Sequence, residues 1–256
     1  MRKLALSDEI LLSVQQPARY LGNEMNVIVK DPSKVDIRFA MCFPDVYDIG
    51  MSHLGIQILY DMFNKRDDVW CERVYSPWPD LHKIMKEENI PLFCLESQEP
   101  VKNMDFLGIT IQYEMCYTNI LQILDLSQIP LLAADRDDTV PIVIGGGPCA
   151  YNPEPIAAFF DMFYIGEGEV SYRKLLDVYK ESRKNGDSRL AWQIPGLDET
   201  WVSTRDDYGY WFLVVRLGDQ VWSISTGTTE PTIDLAERHA AVLAEVQQKE
   251  RGGSDL

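Results

Sequence analysis

Between Ile37 and Lys184 the chain alternates short apolar runs, each closed by glycine, proline or an acidic residue, with segments in which apolar side chains return every three or four positions. The first kind has the length and composition of strands buried on both faces, the second the period of amphipathic helices, and their alternation predicts a doubly wound parallel α/β sheet. Residues 37–43 read as the first strand, ended by Pro44. Residues 52–63 follow as a helix with Ser52 as N-cap and Leu54, Ile58, Leu59 and Met62 on one face. Residues 69–75 and 91–95 read as short strands around a helix that begins near Pro79, residues 106–112 as a central strand and 119–126 as a helix. Residues 142–144 give the next strand, 155–160 a short helix, and 162–165 a last strand feeding a helix from Ser171 to about Lys184.

Ahead of the sheet, Gln16-Pro-Ala-Arg-Tyr-Leu-Gly22 lies in a stretch, residues 10–30, that predicts a helix, a turn and an extended arm covering one sheet edge. Past about Leu190 the character of the chain changes. All nine methionines and all five cysteines precede that point, one lysine (Lys249) follows it, and four of the six tryptophans lie beyond it. The division expected is an arm at 1–36, an α/β domain at 37–189 and a small α+β appendage of separate origin at 190–256. In the appendage, residues 210–224 read as a hairpin around Gly218-Asp219. Pro231 then opens an amphipathic helix with Leu235, Ala236, His239, Leu243 and Val246 on one side.

Length and charge narrow the functional classes. A chain of 256 residues buries one full core with room for a small second unit. No apolar run approaches the roughly 20 residues of a membrane span, and the first residues lack a secretory leader, so a cytoplasmic protein without membrane contact is expected. A formal charge of −16 opposes binding to nucleic-acid phosphates. The five cysteines, Cys42, Cys71, Cys94, Cys116 and Cys149, never fall into C-x-x-C spacing and read as reduced, mostly buried thiols.

Candidate chemistry concentrates where strands end. Pro141-Ile-Val-Ile-Gly-Gly-Gly-Pro148 is a buried strand breaking into Gly145, Gly146 and Gly147, a turn that a flat or bulky ligand can approach because no side chain intervenes. A tight turn alone would also use these glycines. Asp161-Met-Phe-Tyr-Ile-Gly-Glu-Gly-Glu169 repeats the design, with Gly166, Glu167 and Gly168 opening a helix; it lacks the Lys-Ser/Thr pair of a phosphate loop, and its acids repel phosphate. The loop after the first strand carries Tyr47, Asp48, Gly50, Ser52 and His53 ahead of a helix N-terminus. Asp48 and Ser52 could equally serve as caps, and a lone histidine is more often structural than a metal ligand. Gln112, Tyr113 and Glu114 place polar groups at the end of the central strand. Ligands of open α/β sheets sit beyond these carboxyl ends.

Together these segments resemble the N-terminal region of bacterial radical S-adenosylmethionine (SAM) proteins that carry a cobalamin-binding-like domain. The resemblance rests on Gln16-Pro-Ala-Arg-Tyr-Leu-Gly, Phe43-Pro-Asp-Val-Tyr-Asp-Ile-Gly-Met-Ser-His-Leu-Gly, Pro91-Leu-Phe-Cys-Leu-Glu-Ser, Gln112-Tyr-Glu, Gly145-Gly-Gly-Pro-Cys-Ala-Tyr-Asn-Pro-Glu-Pro and Ile165-Gly-Glu-Gly-Glu, and covers about residues 1–185. It implies a flavodoxin-like fold that in the family precedes a barrel holding an iron-sulfur cluster. The barrel's C-x-x-x-C-x-x-C motif is missing, so no cluster, no SAM site and no catalysis by this chain alone are expected. The D-x-H-x-x-G cobalamin motif is not reproduced either, because Asp48 lies five positions before His53 and Ile56 stands where the final glycine would be. The resemblance therefore implies a cobalamin held without a histidine ligand, its nucleotide tail near Gly145–Gly147 and its corrin above the strand ends, in a truncated or detached module whose partner is a radical SAM barrel or a protein substrate. A cofactor-free scaffold that recognises a substrate or partner protein is the alternative, and a flavin module the third reading, against which stands a first loop without a Ser/Thr-rich phosphate wrap.

Overall fold

A computed structural model describes residues 4–164 and 168–186, together with the backbone of strands 201–205, 211–217 and 220–225. Five parallel strands, β1 (Ile37–Phe43), β2 (Val69–Tyr75), β3 (Phe106–Thr110), β4 (Ile142–Gly146) and β5 (Met162–Phe163), take the order β2-β1-β3-β4-β5. This is the flavodoxin-like order, in which β1 and β3 leave the centre in opposite directions. Strands β6 (Trp201–Arg205), β7 (Trp211–Leu217) and β8 (Gln220–Ser225) continue the sheet antiparallel, β8 pairing with β5 at Ser223 opposite Phe163. The helix expected after Pro231 lies outside the described residues.

Alternation of side chains along each strand divides the core into two clusters, one on each face. Phe39 and Met41 of β1 point to the face covered by α2 (Leu54–Asn64) and α5 (Gly168–Asn185), where Ile56, Phe63, Tyr172 and Leu176 pack. Ala40 and Cys42 point to the face covered by α3 (Pro79–Glu88) and α4 (Tyr117–Leu126), joined by Ile10 and Leu11 of α1 (Asp8–Ser13). The expected arm thus contributes a helix to the core as well as a cover for the edge.

Strand β2 is the sheet's outer parallel strand, and its outward backbone groups are met one by one. Lys30 Nζ donates to the Val69 carbonyl at 2.6 Å. The Asn64 carboxamide accepts from Cys71 N at 3.0 Å and donates to Cys71 O at 2.9 Å. Arg73 N donates to Glu96 Oε2 at 2.6 Å, and Leu95 N donates to Arg73 O at 2.9 Å. An edge satisfied in this way cannot template another strand.

The strand expected at 91–95 is not formed. That segment folds back on itself instead, with one bridge between Phe93 and Pro100, because Pro91 and Pro100 have no N–H to give and Gln98 turns the chain at φ 65°. Helix α2 begins two residues later than expected, capped by His53 rather than Ser52, and α5 begins three residues earlier. Among the described residues no helix is long and apolar enough to cross a membrane.

Candidate functional site

A cleft of about 190 Å³ opens at the carboxyl ends of β1, β3 and β4, at the crossover point of the sheet. Met41, Ile109, Tyr164 and Tyr172 form its apolar floor, the last two stacked with ring centroids 4.5 Å apart and planes 11° from parallel. His53, Gly55, Ile56 and Leu59 of the α2 start form one wall, and Thr110 and Gln112 supply the polar edge. The Gln112 amide donates to Thr110 Oγ1 at 2.5 Å. Among the described residues no lysine or arginine lines this cleft, and none of them supplies a counter-charge for a phosphate.

The three consecutive glycines have three different physical reasons. A Cβ on Gly145 would lie 2.6 Å from the Phe163 ring, so that position is packed from the core side. Among the described residues a Cβ on Gly146 would meet nothing nearer than Tyr164 O at 3.9 Å; this is the glycine that leaves the cleft open there. Gly147 sits at φ 89°, with Ile111 O and Thr110 Oγ1 each 2.9 Å from where a Cβ would be, and its backbone conformation demands glycine. Gly168 lets α5 approach α2, since its Cβ would come within 2.8 Å of Leu59.

His53 is committed to the helix. Its Nδ1 accepts from Ile56 N at 3.3 Å as the N-cap of α2, and its ring packs 5.1 Å from Phe43. The Nδ1 lone pair is thus taken by the cap and is not free for a metal.

Of the residues expected at the site, His53, Gln112, Gly146, Gly147 and Gly168 line the cleft. The other described ones make different contacts. Tyr47 donates to Glu24 Oε1 at 2.8 Å, and burial together with that carboxylate pushes its phenol up to about 12. Asp48 pairs with Arg19 at 2.6 Å, Gly50 lies under the Tyr75 ring, and Ser52 is exposed. Tyr113 donates to Asp45 Oδ2 at 2.7 Å, Glu114 is exposed at the start of a 3₁₀ turn, Gly145 is turned to the core, and Pro148 is the first residue of a 3₁₀ helix. Gly166 and Glu167 lie outside the described residues. Sequence reasoning missed Thr110, Tyr164 and Tyr172. Thr110 was within reach as the last residue of β3, opposite Gly146 in the ladder; the two tyrosines belong to segments that only packing brings together.

Residues 55–194, more than half of the chain, match the family model for the N-terminal region of radical SAM proteins. The chain belongs to this family. An uncharacterized protein of Methanocaldococcus jannaschii is 31% identical to it over 144 residues, 56% of this chain and 26% of that protein. The chain thus spans about a quarter of the length of that relative. In this radical SAM N-terminal domain the cysteines are dispersed: Cys42, Cys71, Cys94 and Cys116 are buried, Cys149 is half-buried, and burial raises every one of these thiols above its ordinary range. Among the described residues no cluster of His, Cys, Asp and Glu is arranged to hold a metal ion.

Proposed function

We propose that this domain presents a corrinoid to the radical chemistry of a SAM-dependent enzyme, holding the base of its nucleotide tail in the cleft and leaving cobalt without a protein ligand. The observation that carries this reading is the open position beside Gly146 at the crossover point, where a flat ring can lie directly on backbone. The fit is to part of the cofactor. At about 190 Å³ the cleft is smaller than the roughly 300–1,000 Å³ that enclose whole drug-sized ligands, and it suits one base rather than a macrocycle. Met41, Ile109, Tyr164 and Tyr172 would exclude water from that base, and Thr110 and Gln112 would meet its polar edge. The committed Nδ1 of His53 supports a cobalt without a histidine. Bound there, a corrinoid supplies alkyl-group or electron transfer at its metal.

Titration with hydroxocobalamin, followed in the visible spectrum, tests this. The intact chain should bind, Gly146→Leu should abolish binding by filling the cleft, and His53→Ala should leave the spectrum of the bound corrinoid unchanged. A changed spectrum in the histidine variant would establish ligation. No binding near a millimolar, which corresponds to only about 4 kcal/mol, would favour a second reading, a cofactor-free scaffold. That reading draws on the exposed apolar side chains Ile49, Met51, Leu54 and Met115 in the short helical turns and helix start that follow β1 and β3, a kind of surface that partner proteins cover.

A further inference from the structure

We propose that the cleft selects an adenine-type base over dimethylbenzimidazole on the tail of its corrinoid, an inference that rests on the corrinoid reading above. The selectivity lies in Gln112. Of the three polar side chains lining the cleft, His53 is occupied at Nδ1 by the α2 cap, and Thr110 accepts one proton from the Gln112 amide. Gln112 keeps a second N–H and both lone pairs of Oε1. A carboxamide with donor and acceptor side by side pairs bidentately with adenine, giving a proton to a ring nitrogen and taking one from the exocyclic amine. Dimethylbenzimidazole presents methyl groups in place of that amine and would cover the Gln112 amide without pairing it. The remaining described lining is glycine backbone, apolar side chains and the stacked rings of Tyr164 and Tyr172, surfaces on which any flat bicyclic ring can lie. Among the described lining residues there is no lysine or arginine, which also suits a neutral base. Because Gln112 is only half-buried, water competes for it, and the expected discrimination is about tenfold rather than the far larger ratios of enclosed sites.

The experiment compares adeninylcobamide, cobalamin and the baseless cobinamide on the full chain by visible spectroscopy, in wild type, Gln112→Leu and Gln112→Glu. Wild type should bind adeninylcobamide about tenfold more tightly than cobalamin, and cobinamide more weakly than either. Gln112→Leu should bring the ratio of the two complete corrinoids to about one or reverse it. Gln112→Glu retains the acceptor and loses the donor, keeps a polar group at the surface if the leucine variant fails to fold, and should weaken adeninylcobamide severalfold. Equal affinities in wild type, or a preference that survives both substitutions, would overturn the proposal and leave the corrinoid reading standing. Cobinamide binding as tightly as the complete corrinoids would place the tail outside the cleft and overturn it too. Failure of all three ligands to bind would remove the corrinoid reading itself, and the selectivity with it.

Discussion

Gly145 and Gly146 are adjacent and chemically identical, yet alanine at the two positions should act in opposite directions. The methyl of Gly145→Ala would sit 2.6 Å from two carbons of the Phe163 ring and 3.1 Å from Phe160. Both rings are fully buried, with centroids 4.8 Å apart, so neither has space to swing away. Overpacking of this kind costs about 1–3 kcal/mol, against which the stiffer unfolded chain returns about 0.4–1 kcal/mol. At Gly146 the methyl meets nothing within 3.9 Å, and the backbone there is not left-handed, so only the favourable term of about 0.4–1 kcal/mol operates. The two variants should therefore differ by roughly 1–3 kcal/mol. For a chain of this length that is a gap in melting temperature of about 2–12 °C, readable by circular dichroism with the wild type between them. The same Gly146→Ala, neutral or stabilising toward heat, should weaken corrinoid binding because its methyl stands in the cleft. Equal destabilisation by both substitutions would refute the assignment of separate roles, since it would mean that the space beside Gly146 is not open.

Further outcomes follow from the packing around the sheet. Asn64→Leu strands both outward groups of Cys71 and should cost about 1–3 kcal/mol in urea unfolding; an unchanged midpoint would show that the edge needs no cap. Asp68 is held well below the ordinary carboxylate range by Arg66 first and by Lys180 as well. Its ionised form is thus favoured in the fold, and the stability it contributes is present above the unfolded value of about 3.9 and lost as pH falls below it. The wild type should exceed Asp68→Asn in stability at neutral pH, and the gap should narrow steadily as pH falls below about 4; a gap that stays constant from neutral pH down through the acid range would contradict the ion-pair origin. A chain ending at residue 189 should unfold cooperatively, because both buried clusters draw on residues 4–179 among those described; a molten or aggregated product would place the boundary elsewhere.

The amino-acid pattern alone determined the fold class and singled out the strand ends at which the cleft opens. Runs such as Ile37–Phe43 and Val69–Tyr75 are apolar enough to be buried on both faces, which requires helices on either side and hence parallel strands. Glycine and polar residues gather after those strands, where the backbone turns out of the ladder and the cleft opens. This much is local, a consequence of residue type and spacing. The assignment of roles within each cluster was not local. Three glycines in a row look alike until Phe163 is found against the first, open space beside the second and a positive φ at the third. His53, Asp48 and Tyr47 read as a ligand-binding loop until partners 3 to 29 positions away in the chain, Ile56, Arg19 and Glu24, claim their polar atoms. Residues 91–95 have the composition of a strand, but a chain joins a ladder only where a neighbour offers unpaired N–H and C=O groups, and on that side of β2 the Lys30 and Asn64 side chains already hold the groups of Val69 and Cys71. Tertiary structure settled these points because each depends on which atoms come within about 3 Å of one another, a quantity that no window of sequence contains.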